Sequence, residues 1–158
     1  MDLELDPPNG VGALRIGMLT AEAHTALESF RDPAMPSASD APGRHITRPS
    51  SLMISIGCLN GRLQAIELWR PETAEDAVLF RGINLFTLSA REVVETLRRE
   101  VRIEANADDP ASFVAPDLLL SFWRPFEADD NPDEEQGYYF NSVLLARPGY
   151  YDGPGANA

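Results

Sequence analysis

The chain has 158 residues, 44% of them apolar, enough for one domain with a core of its own. Its 25 acidic and 13 basic residues give a net charge of -12 at pH 7, a balance that repels nucleic acid and anionic membranes and favours a basic protein partner. The single cysteine, Cys58, excludes an internal disulfide and a cysteine-rich zinc site. No apolar run approaches the roughly eighteen residues that span a bilayer. The opening MDLELDPPNG has neither the basic nor the apolar region of a secretory signal, so a cytoplasmic location is expected.

Leu3 and Leu5 alternate with acidic residues and predict a short edge strand, broken by Pro7-Pro8. In LRIGMLTAEAHTALESF, Leu14 and Ile16 are extended, Gly17 permits a turn and Thr20 is expected as the helix N-cap. Ala23, Ala26, Leu27 and Phe30 then share one helical stripe. Residues 31–51, rich in Pro, Ala and Ser, read as a long loop.

The clearest element is SLMISIGCLNGRLQAIELWRP. Asn60-Gly61 suits the positive φ angles of a two-residue type I′ turn. Pairing Leu59 with Arg62 and continuing without interruption sets Leu52 opposite Trp69. That register puts Leu52, Ile54, Ile56, Cys58, Leu63, Ala65, Glu67 and Trp69 on the core face.

Residues 72–78 are a polar connection, and Leu79 to Phe86 an apolar extended segment. Ser89 and Glu92 form a capping box ahead of a helix with Val93, Val94, Leu97 and Val101 on its buried stripe. Residues 104–116 are expected to be a loop. DLLLSFW and YYFNSVLLARPGYY then predict a second hairpin, joined by the acidic insertion FEADDNPDEEQG, with Phe122 and Phe140 in the core and a frayed tail over 152–158. The expected fold is a single α+β domain over 1–158. It consists of two pseudo-repeats, about 13–71 and 79–151, each a helix packed on an antiparallel hairpin, with their strands forming one continuous sheet or two. Leu19-Thr20-Ala21 corresponds to Leu88-Ser89-Ala90, and Leu68-Trp69-Arg70-Pro71 to Leu145-Ala146-Arg147-Pro148.

The segment LRIGMLTAEAHTAL resembles the opening of the small repeats in outer-membrane lipoproteins of the SmpA/OmlA type. The same opening occurs in the secreted β-lactamase-inhibitory proteins, which are tandem repeats of that unit. Gly17, Met18 and Leu27 match it, and Leu19 displaces Thr20 by one place. The chain departs from both in having no lipidation cysteine and no disulfide pairs. As a whole it is similar to small acidic proteins of GC-rich bacteria, some of which are immunity proteins against toxins. The resemblance implies protein binding through an exposed sheet face, with neither catalysis nor a cofactor.

Candidate chemistry is sparse. No phosphate loop, dinucleotide fingerprint or nucleophile elbow occurs, and the histidines, His24 and His45, form no recognisable motif with Cys58. The acidic insertion holds Glu127, Asp129, Asp130, Asp133, Glu134 and Glu135 but lacks the pattern of a calcium loop. No metal site is therefore assigned. Tyr138, Tyr139, Tyr150, Tyr151 and Trp123 cluster around it in sequence, and tyrosines beside carboxylates suit a protein interface. The leading expectation is a non-enzymatic immunity or inhibitor protein that neutralises a basic toxin or enzyme. Two alternatives stay open: a small-ligand or catalytic pocket around Glu67 and Trp69, and an assembly subunit that forms homo-oligomers through a sheet edge.

Overall fold

A computed structural model describes residues 1–40 and 44–147. Their strands form two sheets rather than one, with the two expected hairpins side by side in the larger. The first hairpin comprises β5 (Met53–Leu59) and β6 (Arg62–Trp69). Asn60 and Gly61 turn it with φ of 55° and 77°, the type I′ geometry their chemistry favours, and Leu59 pairs with Arg62.

Beyond the turn the expected register fails by one residue. Cys58 pairs with Leu63, but Gly57 pairs with Ala65, so Gln64 is an extra residue in a β-bulge. Met53, not Leu52, therefore opposes Trp69, and Glu67 opposes Ser55. Because side chains alternate with period two, this slip reverses the outer half of β6. Ile66 and Leu68 enter the core, both 1% exposed, while Ala65, Glu67 and Trp69 turn to the opposite face.

The second hairpin pairs β11 (Leu120–Trp123) with β12 (Ser142–Ala146). Antiparallel pairing of β12 with β6 joins the two hairpins. Both segments expected as loops contribute strands. Arg44–Thr47 forms β4 on the outside of β5, while Glu104–Asn106 and Asp109–Ala115 form β9 and β10 beyond β11. β4 and β9 are short, at four and three residues, and β10 opens on Asp109-Pro110; in each case the neighbouring strand supplies hydrogen bonds that local propensity does not reveal.

In the smaller sheet β1 (Asp2–Asp6) lies between β2 (Gly10–Val11) and β7 (Ala77–Phe80). It is a central strand rather than the expected edge, because its parallel partner β7 is remote in sequence. The outer strands are β3 (Leu14–Arg15) and β8 (Ile83–Asn84). Between the sheets, Asp76 accepts hydrogen bonds from Arg48 Nε at 3.0 Å and Ser50 Oγ at 2.5 Å. Burial pushes the Asp76 carboxyl up, but these donors outweigh it and hold the group below its ordinary range.

Helix α1 (Thr20–Glu28) packs on β4, β5 and β6. Leu19, not Thr20, occupies its N-cap, and its N–H donates to Glu22 Oε1 at 3.1 Å. Helix α2 (Ala90–Leu97) begins as expected, with Ser89 Oγ accepting from the Glu92 N–H at 3.1 Å. Its Val93, Val94 and Leu97 are buried, each contributing about 1.5–3 kcal/mol. One cluster joins both helices, both sheets, Phe122 and Phe140. Among the described residues no helix is long and apolar enough to cross a membrane. Tyr150, Tyr151 and the expected tail lie outside the described residues.

Candidate partner-binding site

The larger sheet has one face against the core and one left open. Ile46, Ile54, Leu68, Val143 and Phe122 are successive cross-strand partners on the core face. One residue further along, Thr47, Met53, Trp69, Ser142 and Trp123 cross the open face in the same way. Ser142 is small enough for the flanking indoles to close over it. They meet edge to face, with centroids 6.1 Å apart and planes at 73°, and Ser142 is left 1% exposed. Trp123 remains 40% exposed.

Glu67 lies one row inward, between Ser55 and Leu144. Ser142 Oγ donates to its Oε2 at 3.0 Å. Desolvation pushes the Glu67 carboxyl above its usual range, and the Ser142 hydrogen bond only partly opposes this. The arginines expected beside it are engaged elsewhere, Arg48 with Asp76 and Arg70 with the Phe86 carbonyl and the Tyr139 ring.

The acidic connection 124–141 is built around Arg124, which is 2% exposed. Its Nε donates to the Ala111 carbonyl at 2.7 Å; its Nη1 donates to Asp129 Oδ1 at 2.6 Å and to the Gly137 carbonyl at 2.7 Å. A guanidinium removed from water is tolerable only with such partners. Gly137 lies in the four-residue helix α3 (Glu135–Tyr138) and packs against Phe126. A Cβ at Gly137 would stand 2.4 Å from the Phe126 ring.

The predicted site residues thus divide. Asp129 is a structural carboxylate. Burial pushes it up, but the hydrogen bonds from Arg124 and Glu127 and the positive charge of Arg124 and Arg91 hold it low. Glu127 is exposed and pushed up, first by its hydrogen bond with Asp129 and then by that group's charge. Asp130, Asp133, Glu134 and Glu135 are exposed; Asp130 makes a surface pair with Arg91 at 3.3 Å. Tyr138 and Tyr139 are half-buried and meet edge to face at 4.9 Å. Arg70 stacks over Tyr139 at 4.0 Å, lies 3.7 Å from Glu135, and donates from Nε to the Phe86 carbonyl at 3.0 Å.

These groups frame a cleft of about 500 Å³ at the end of the sheet, walled by Trp69, Trp123, Pro71 and Pro125. Arg70, Glu72, Glu135, Gln136 and Asn141 supply its polar lining. Glu67 is not part of it, which separates the two residues of the expected ligand pocket. Among the described residues Trp69 Nε1 is a buried donor without a hydrogen-bond partner. Among the described residues no three His, Cys, Asp or Glu side chains converge as metal ligands.

Sequence reasoning placed Arg70 only in a repeat match and beside Glu67 and did not single out Arg124, yet a signal for both exists. The tripeptide Trp-Arg-Pro occurs at 69–71 and again at 123–125. It falls at the ends of β6 and β11, which both run antiparallel to the β12 between them. The two copies therefore emerge at the same end of the sheet, and the tryptophans and prolines from both wall the cleft. Comparisons with protein-family models, curated proteins and solved structures find no match for the chain.

Proposed function

We propose that this chain is a non-enzymatic binding protein that masks a basic surface of another protein, as an immunity or inhibitor protein masks a toxin or enzyme. One observation carries the reading. The acidic connection is fixed from within by Arg124, while Asp130, Asp133, Glu134 and Glu135 face solvent beside the tryptophan end of an uncovered sheet face. A loop ordered before binding loses little further conformational entropy in the complex. Exposed carboxylates around an aromatic centre match the pattern of a polar rim that steers a basic partner and an apolar centre that anchors it.

Duplication of an ancestral unit is part of the same proposal. Each of the two long helices precedes an antiparallel meander, three strands β4–β5–β6 after α1 and four strands β9–β10–β11–β12 after α2, and the last strands of the two meanders pair. This arrangement supports duplication.

The test is capture of binding proteins from lysate of the cells that produce the chain, followed by titration of the purified partner at low and high salt. A basic partner is expected, with affinity that falls as salt rises. Neutralising Asp130, Glu134 and Glu135 together should weaken it by about tenfold or more, chiefly through slower association. A partner bound equally well by that triple variant would overturn the reading.

A further inference from the structure

We infer that the cleft between the two Trp-Arg-Pro tripeptides is the seat of an arginine side chain from the partner. This deepens the proposed binding function and rests on it. The charged lining is Arg70, Glu72 and Glu135, two carboxylates against one guanidinium. Arg70 is already committed to the Phe86 carbonyl and the Tyr139 ring. Its 3.7 Å approach to Glu135 is too long for a hydrogen bond, so the Glu135 carboxylate keeps its acceptor capacity. Glu72 adds a second carboxylate at the rim, positioned by its backbone N–H donating to the Ser50 carbonyl at 2.8 Å. The charge left over in the cleft is negative and calls for a cation.

The walls select which cation. Trp123 presents a partly exposed indole, and the Trp69 ring sets a second wall with its plane at 73° to it. A guanidinium is planar and weakly hydrated, so it can lie against an indole face while its in-plane N–H groups reach carboxylates. A lysine ammonium is a strongly hydrated point charge and uses such a slot less well. About 500 Å³ is room for a side chain together with adjoining backbone.

The chain's two tryptophans are Trp69 and Trp123, so its intrinsic tryptophan fluorescence reports on this cleft alone. The experiment titrates the intact chain with the capped tripeptide acetyl-Gly-Arg-Gly-amide, and with its citrulline and lysine counterparts. A saturable change in emission is expected with arginine, and binding about tenfold weaker with citrulline, which keeps the shape and loses the charge. Lysine should fall between them. The double variant E72Q/E135Q, altered at two exposed positions, should retain the fold by circular dichroism and lose about tenfold in arginine-peptide affinity. No saturable change, equal binding of citrulline, or an unaffected double variant would each overturn the assignment. A captured basic partner that depends on Asp130 and Glu134 but tolerates E72Q/E135Q would remove the cleft and leave the proposed function standing. Saturable arginine-peptide binding without any basic partner in the lysate would do the reverse.

Discussion

Two connections in the larger sheet do the same job by different physics. Asn60-Gly61 joins β5 to β6 in two residues, and the segment 124–141 joins β11 to β12. The short one is determined locally, since its two residues accept positive φ and the strands on either side pair at once. The long one has no such code. It is held by a charged side chain drawn into the interior, with Arg124 gathering Ala111, Asp129 and Gly137. A tight turn can sit anywhere two strands meet. A connection organised by a buried ion pair can carry many exposed charges without losing its shape, which is what a recognition loop needs.

The largest break in this comparison is Arg124→Ala. It removes the buried donor to the Asp129 carboxylate and to the Ala111 and Gly137 carbonyls, and removing one member of a buried pair costs about 3–5 kcal/mol. Urea unfolding should show that loss, and hydrogen exchange should rise across 124–141 before the rest of the sheet opens. The same pair has a pH signature. Asp129 is held below the usual carboxylate range by Arg124, so the folded chain binds fewer protons than the unfolded one. Its stabilisation is complete above the ordinary aspartate range and is lost as pH falls through the depressed folded value. Asp76 contributes in the same direction, so the acid arm of a stability–pH curve should shrink in Arg124→Ala without vanishing. An identical acid arm in the variant would mean that Arg124 does not hold Asp129.

The short connection breaks more gently. Gly61 has φ of 77° and nothing within 4 Å of where a Cβ would sit. Gly61→Ala therefore meets only the backbone penalty of the left-handed region, about 1–2 kcal/mol. Thermal unfolding should shift modestly and exchange in 124–141 should not change. A larger loss would mean that the turn also depends on tertiary contacts.

What could be read from sequence follows the same division. The Asn-Gly turn, the Ser89 cap and the α2 stripe were legible because each is decided within a few residues. The Gln64 bulge was not. Its one trace in the sequence is Gly57, a glycine inside β5 at the register shift, and one uncounted residue was enough to move Glu67 and Trp69 from the core face to the open one. β1 was legible as a strand but not as a central one, because its parallel partner β7 comes from the other half of the chain. The acidic residues were legible as a group, but their division into one structural and several outward carboxylates depended on which lay near Arg124. The repeated Trp-Arg-Pro was visible throughout and acquires meaning only once β6 and β11 are seen to flank the same strand.

The smallest expected effect separates these roles most sharply. Asp130 is one residue from Asp129, yet its side chain is 94% exposed and, among the described residues, pairs only with Arg91, itself 48% exposed, at 3.3 Å. Exposed pairs of this kind contribute little to stability because both partners remain solvated. Asp130→Asn should leave the unfolding midpoint within experimental error, while Asp129→Asn lowers it measurably. For binding the order reverses. A solvated rim charge acts on diffusional encounter, so Asp130→Asn should slow association of a basic partner several-fold at low salt and leave dissociation nearly unchanged. Comparable losses of stability in both variants would mean that the connection behaves as one solvated charge run. The opposed responses would place adjacent aspartates on either side of the line between holding the loop and presenting it.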